Sequence, residues 1–379
     1  MNRLPRPSVI TSPGELKTLL DDLSSQPAVA VDTESNSLHA YHERVCLIQF
    51  STANGDYIVD PLASLDISPL GDLFADSTIQ KVFHAAEQDV GWLKRDLGCS
   101  FASLFDTMWA ARILGWPRVG LADVLEETFD VHTKKRYQRY DWGRRPLKPE
   151  AISYAQLDTH YLLPLRDLQM EALERTKRIA EAGRIFSQLE QTPPAAPPFG
   201  PEGFWRLKEA DDLRDRERAV LWELYLWRDQ VAREWNRPPF RVISRRTLVA
   251  LARARPRRME DLRRVRGVKR HHVRRYGRAI LEAVSRGNRG PIPKLPPCQS
   301  REKAVRERYR ALRAWRRGVS EGRGREPETI LSNATLWALA ERNPADMDEL
   351  KDMEELKASK LRPYGPDILH VLRDGQSAS

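Results

Sequence analysis

The chain has 379 residues, 41% hydrophobic and 31% charged, with a formal net charge of +10, enough for two or three domains with buried cores. It contains no run of about 18 apolar residues and its start, MNRLPRPSVITSPGELKTLL, lacks an apolar signal core, so neither a membrane span nor secretion is expected and a cytoplasmic protein is. Three widely spaced cysteines, Cys46, Cys99 and Cys298, argue against a disulfide framework or a cysteine-based zinc site.

In chain order, the first clear element is the stretch VAVDTESNSL at 29–38, whose β-favouring start predicts a strand over 28–34. Alternate side chains of a strand share a face, so Asp32 and Glu34 stand side by side. RVCLIQFST at 44–52 and DYIVD at 56–60 predict two more strands around the turn ANG, making a three-stranded meander. KVFHAAEQDVGWLKRDLG at 81–98 begins as a short strand and becomes a helix carrying Asp89, with Glu87 and Asp96 as rival acids nearby. His84 reads as a strand-end histidine satisfied by backbone, and Trp92, Trp109 and Trp116 read as core.

Helices dominate thereafter. DTMWAARILG starts with Asp106 as a candidate N-cap, and LADVLEETFD follows. TKKRYQRYDWGRR at 133–145 interleaves bases with aromatics and is read either as a lining for a nucleic-acid strand or as a solvated loop. One long helix is predicted over LKPEAISYAQLDTHYLLPLRDLQMEALERTKRI, with Pro149 in its first turn. Tyr154 and Asp158 are four apart and share a face of it.

Two Pro- and Gly-rich stretches, 191–203 and 287–300, cannot continue a helix and delimit three candidate domains at 1–190, 204–286 and 301–375. Residues 240–281 align without a gap on 328–369 at an offset of 88: Ser244 meets Ser332, Pro256 meets Pro344, and Tyr276-Gly277 meets Tyr364-Gly365. Apolar residues at helical spacing make each copy a small helical bundle.

Charge divides the chain. Residues 1–190 hold 21 Lys and Arg against 27 Asp and Glu, whereas 191–379 hold 42 against 26. The first repeat, 204–290, has a net charge of +14 and the rest of the chain, 291–379, only +3. In VRGVKRHHVRRYGR, Gly267 is expected between two short helices, where backbone N–H groups can approach a phosphate. Lys269, Arg270, Arg274 and Arg275 follow it. The matching residue in the second repeat is Glu355, which would repel phosphate.

Asp32, Glu34, Asp89 and Asp158 make one constellation with Tyr154. Four converging carboxylates need cations, and Mg²⁺ or Mn²⁺ favours such ligands. Two such ions, about 3.5–4 Å apart, form the clamp for in-line attack on a phosphodiester. A phenol with pKa near ~10 is a poor base but can orient a water.

VDTES, FHAAEQDVGWL and YAQLD resemble the three motifs of the DEDD exonuclease superfamily in its tyrosine branch, and YDWGRRPLKPEAISYAQLDTHYLLPL is similar to the ribonuclease D family. The repeats resemble HRDC domains. The resemblance covers nearly the whole chain. It implies an α/β, ribonuclease H-like exonuclease domain followed by two all-α HRDC bundles, acting 3′→5′ on RNA, trimming tRNA precursors and releasing 5′-mononucleotides. It carries Asp32, Glu34, Asp89 and Asp158 over as metal ligands and Tyr154 as the water-orienting residue, with Glu34 counted among the catalytic groups. A monomer with no obligate protein partner is expected. A DNA 3′→5′ exonuclease would use the same acids, and a non-catalytic RNA-binding scaffold would be expected to lose one of them.

Overall fold

Val29, Ala30 and Val31 are wholly buried and begin the strand around which the sheet is built. The computed structural model describes residues 4–132, 135–210, 213–293, 303–323, 327–353, 355–356 and 358–374. Cys298 and Thr133-Lys134 of the basic-aromatic stretch lie outside the described residues.

Six strands form one sheet: β1 (Ser8–Ile10), β2 (Ala28–Ser35), β3 (Val45–Ser51), β4 (Asp56–Val59), β5 (Gln80–Phe83) and β6 (Leu104–Asp106). Their order is β1-β4-β3-β2-β5-β6. β2, β3 and β4 pair antiparallel, as the predicted meander requires, while β5 and β6 extend the sheet in parallel beside β2. The two edge strands, β1 and β6, have three residues each, too few for alternation to reveal them.

The helices of this unit are α1 (Pro13–Ser24), α2 (Leu70–Ala75), α3 (Glu87–Leu97), α4 (Thr107–Leu114), α5 (Leu121–Phe129), α6 (Pro149–His160), α7 (Leu162–Arg175) and α8 (Ile179–Glu190). The single long helix expected from Pro149 onward is instead three. Pro164 is the third residue of α7; it brings no N–H, and its ring would strike the carbonyl of His160, so α6 ends there. Lys177, with φ of +56°, makes the second break. α6 covers one face of the meander through Leu47, Ile58, Ala151 and Ala155. Most other helices close the main core, in which Phe50, Phe83 and Phe105 are almost wholly buried.

Asp106 does more than cap α4. It is fully buried, and its carboxylate accepts N–H bonds from Ala85 (3.2 Å), Ala86 (2.7 Å) and Trp109 (3.0 Å). It thereby ties the start of α4 to the turn before α3, where Ala85 sits at φ of +66°.

The basic half folds as α9 (Asp215–Glu234), α10 (Pro239–Val242), α11 (Arg245–Ala254), α12 (Met259–Arg264) and α13 (Arg270–Arg289). The pattern repeats as α14 (Lys303–Arg323), α15 (Pro327–Ile330), α16 (Asn333–Arg342), α17 (Met347–Lys351) and α18 (Ala358–Asp374). Every helix of the second set begins 88 residues after its counterpart. The caps repeat too: Ser244 accepts from Thr247 N–H at 3.2 Å and Ser332 from Thr335 N–H at 3.0 Å. Trp227 meets Tyr276 edge-on at 5.6 Å, and Trp315 meets Tyr364 at 5.9 Å. A Cβ on Gly277 or Gly365 would come within 3.0 or 2.9 Å of the tip of the facing methionine, Met259 or Met347, so the two copies share the same close helix contact. α13 runs past the expected limit at 286 because nothing breaks it before Gly290-Pro291.

The first bundle is joined to the loop that follows β2. The Tyr41 hydroxyl donates to Asp229 at 2.9 Å, and the N–H groups of Tyr41 and His42 donate to Asn236 Oδ1 at 3.1 and 3.0 Å. Tyr41 is part of that bundle's apolar core.

Replacing Asp106 by Ala removes one acceptor from three N–H groups, two of them at the entry to α3. Charge-assisted bonds to buried donors put the loss on the order of 3 kcal/mol. Amide exchange at Ala86 and Trp109 should accelerate in D106A well before that of α9; unchanged protection would show that the turn is held by other contacts.

Candidate active site

β2 presents Asp32 and Glu34 on the face covered by α6, and α6 contributes Asp158. Carboxylate oxygens of these three residues lie within 4.8 Å of one another. Among the described residues, none of the three, nor Asp89, pairs with a lysine, arginine or histidine. Burial raises Asp32 well above the usual carboxylate range, and the charges of Asp89, Asp158 and Glu34 push it further. Glu34 is raised for the same reasons by burial, Asp158 and Asp89. Burial, then the Asp89 charge, lifts Asp158 to about 8. A donor set of hard oxygens, crowded and unneutralised, fits divalent cations.

Asp89 stands beside this triad rather than within it. It lies in the first turn of α3, is 7% exposed, and accepts a short hydrogen bond from the Thr33 hydroxyl. Burial lifts it to about 7, against the lowering effect of Thr33. Among the neighbouring charges, its own acts most strongly on Asp32 and Asp158. Of the rival acids, Asp96 instead accepts the Val45 N–H at 2.8 Å and pairs with Arg95 at 2.6 Å.

Tyr154 lies one turn before Asp158. Burial, then the charges of Asp158, Glu34 and Asp32, raise its hydroxyl, so it stays a phenol at any working pH. Its ring is walled by Tyr137 at 5.6 Å and Trp142 at 6.3 Å. Trp142 is 2% exposed. Tyr137 and Trp142 of the basic stretch are thus buried against Tyr154 rather than solvated, while Arg145 grips Asp60 through two bonds of 2.6 Å.

Sequence reading missed Thr33, the tether role of Asp106, and Gln49. Gln49 faces Asp32 across the β2–β3 ladder, wholly buried, with no hydrogen-bond partner for its amide among the described residues. Only the N-cap pattern at Asp106 offered a signal. His84 is paired from a side chain, not backbone alone: its Nδ1 lies 2.8 Å from the Thr107 hydroxyl. Burial lowers its pKa to about 4 and keeps it neutral. Trp109 is buried, and Trp92 and Trp116 pack partly exposed against the same core.

In the first bundle Gly267 has φ of +88°, and a Cβ there would lie 2.5 Å from Thr247 Oγ1, so only glycine fits. It joins a six-residue helix to a twenty-residue one, not two short helices. Lys269, Arg270, Arg274 and Arg275 are exposed along the start of α13. The Lys269 N–H is already donated to His272 Nδ1 at 3.1 Å, and the Arg275 guanidinium stacks 3.9 Å over Trp235.

Residues 7–173 match the family model for a 3′-5′ exonuclease, and 217–284 and 305–372 match the HRDC domain. A ribonuclease D of Granulibacter bethesdensis is 30% identical over 384 residues, spanning 99% of this chain and 94% of that one. The chain belongs to the ribonuclease D family. Members of that family are 3′-5′ exoribonucleases, phosphodiester hydrolases that act on RNA. The crystal structure of Escherichia coli RNase D superposes with a TM-score of 0.72 at 26% identity, covering 98% of this chain and 99% of that one. The exosome complex exonuclease RRP6 of Saccharomyces cerevisiae is 36% identical over 252 residues, 62% of this chain; the match spans only 34% of that longer protein. Among the described residues no helix is long and apolar enough to cross a membrane.

The raised carboxylates set a pH dependence for the metal-free protein. Asp89 near 7 and Asp158 near 8 lie above the ordinary range of about 4 for unfolded aspartate. The folded state then holds protons that the unfolded chain releases, so this contribution is present below pH ~4 and is lost as pH rises through 7 to 8. In chelator, the melting temperature should fall between pH 5 and 8, and Asp158→Asn should flatten that fall. An equally steep fall in D158N would assign the dependence to other groups.

Proposed function

We propose that this protein is a 3′→5′ exoribonuclease that trims the 3′ ends of precursor tRNAs and other structured RNAs, releasing 5′-mononucleotides, as a monomer using two divalent cations, Mg²⁺ or Mn²⁺. The observation that carries the reading is the convergence of Asp32, Glu34 and Asp158 within 4.8 Å, with Asp89 and Tyr154 at the margin and no base among them. Family membership supports RNA as the substrate. The E. coli relative, described as an exoribonuclease involved in structured RNA processing, supports structured RNA.

Asp32, Glu34 and Asp158 would hold one cation, and Asp32 with Asp89 a second. Such a pair would supply a more acidic attacking water and would stabilise charge on the leaving 3′ oxygen. Tyr154 orients that water by hydrogen bond; its raised pKa rules it out as the base that takes the proton. Attack forms the new P–O bond as the P–O3′ bond breaks, leaving a 3′-hydroxyl on the shortened chain and a 5′-mononucleotide. Thr33 fixes the Asp89 carboxylate, and the Tyr137–Trp142 wall fixes the Tyr154 ring.

Asp32→Asn and Asp158→Asn should each abolish turnover of a 3′-extended tRNA precursor while leaving RNA binding largely intact. Tyr154→Phe should reduce single-turnover rate about 10²-fold with little change in affinity. Full activity in excess chelator would sink the metal-dependent reading. A run on matched RNA and DNA oligonucleotides decides the sugar preference, and equal rates on both would make the protein a general 3′→5′ exonuclease.

A further inference from the structure

β3 runs between β2 and β4, and all seven of its residues are buried. Gln49 carries the only amide side chain on it. It stands directly opposite Asp32 on β2 and opposite Ile58 on β4. Directly opposed residues of an antiparallel pair share a face, with Cβ atoms roughly 4.5–5.5 Å apart. The face is the one under α6: Leu47, two residues earlier, packs with Ala151 and Ala155, and the Ser51 hydroxyl, two residues later, lies 2.8 Å from that of Thr159. Gln49 is therefore sealed beneath the helix that carries Tyr154 and Asp158, in the place next to Asp32.

Nothing in the packing calls for an amide there. Neither Nε2 nor Oε1 of Gln49 has a hydrogen-bond partner among the described residues. The nearest polar group on the β4 side is already taken: the Asp56 carboxylate, opposite Ser51, accepts from Ser51 at 2.6 Å and from Gln156 at 2.6 Å, and lies 2.8 Å from His160 Nδ1. Asp32 is different, for among the described residues no other side chain donates a hydrogen bond to it. A buried amide without a partner costs free energy that a methionine or leucine of similar volume would not. Its presence points to a bond made when the carboxylates hold a ligand.

We infer that Gln49 is a positioning residue for the cation site: its Nε2 donates to the Asp32 carboxylate when that carboxylate ligates, and so fixes the direction in which Asp32 presents its oxygens. This rests on the metal-dependent reading above. Carboxylates that ligate metals are held in turn by hydrogen bonds from the groups behind them, and those groups tune affinity. A neutral amide suits the place better than a charged donor. A lysine would neutralise Asp32 itself and compete with the cation, whereas an amide N–H orients the carboxylate and leaves its charge for the metal. Thr33 already restrains Asp89; Gln49 gives Asp32 a restraint of its own.

The test uses the full chain with Gln49→Met, which keeps the volume and removes the donor. Mn²⁺ affinity, measured by calorimetry, should fall ~10-fold or more, and the Mn²⁺ concentration for half-maximal cleavage of a 3′-extended tRNA precursor should rise by the same factor. In excess chelator, Q49M should melt at or above the temperature of the unaltered chain, because a buried amide without a partner has been removed. Unchanged Mn²⁺ affinity would overturn the inference. So would a melting temperature lowered in chelator, which would give the amide a structural partner in the metal-free fold. Ser51→Ala is the control for strand packing: its hydroxyl is bonded within the fold, so S51A should melt lower and bind Mn²⁺ as before. A loss of affinity in S51A equal to that in Q49M would assign both to a disturbed strand and count against Gln49. If Q49M does not fold, Gln49→Leu replaces it, and failure of both to fold would make the amide structural and end the inference. An unaltered chain that binds Mn²⁺ but hydrolyses no RNA would end the exoribonuclease reading while the affinities still decide Gln49; one that takes up no Mn²⁺ would end both.

Discussion

Repulsion among four crowded carboxylates, Asp89 buried and the other three half-buried, is the constraint on which the rest of this structure depends. Asp32, Glu34 and Asp158 would separate in water; the fold holds their oxygens within 4.8 Å, with Asp89 close enough to raise all three. Holding them costs free energy in the absence of cations, and the surrounding structure supplies the restraint. β2 lies between β3 and β5, so Asp32 and Glu34 cannot be displaced without disturbing both ladders. Thr33, the intervening residue of the same strand, holds Asp89. Asp106 fixes the turn from which α3 starts. Strain of this kind is stored where a ligand relieves it, and the hard oxygens of this site suit divalent cations as that ligand.

The helical half shows the complementary arrangement. Two bundles share caps, core aromatics and a buried arginine whose guanidinium reaches the carbonyl at the end of the short helix: Arg228 to Ile243 and Arg316 to Leu331. The packing solution is the same, so their surfaces are free to differ. The first is strongly basic; the second is close to balanced. The first is also the one joined to the loop after β2 through Tyr41, Asp229 and Asn236. A cationic surface thus sits on the bundle attached to the segment that leaves Glu34, which suits a protein that must hold a polyanion while cutting its end.

How much of this could be read from residues alone follows from the range of each interaction. The meander, α3, the first turn of α6 and the 88-residue repeat depend on local pattern, and each was readable. The four acids and Tyr154 were readable because their motifs resemble those of a known family. Contacts that depend on topology were not. Thr33 meets Asp89 across 56 residues, and Tyr41 meets Asp229 across 188; no periodicity announces either. The packing of the basic-aromatic stretch was not readable because composition cannot tell whether Tyr137 and Trp142 face solvent or a core. The long helix after Pro149 failed at Pro164, a breaker present in the sequence whose effect an amphipathic pattern obscured.

If crowded carboxylates are what the site is built to hold, then filling it must expel protons. At neutral pH in the metal-free protein Asp158, near 8, is largely protonated and Asp89, near 7, about half so, and cation binding requires them ionised. Calorimetric titration with Mn²⁺ at pH 7, repeated in buffers of differing ionisation enthalpy, counts those protons directly. The account predicts release of about one proton or more per protein, falling sharply in D158N. Tight binding with no proton release would contradict it, because the carboxylates would then already be ionised and their mutual repulsion met by something other than the cation.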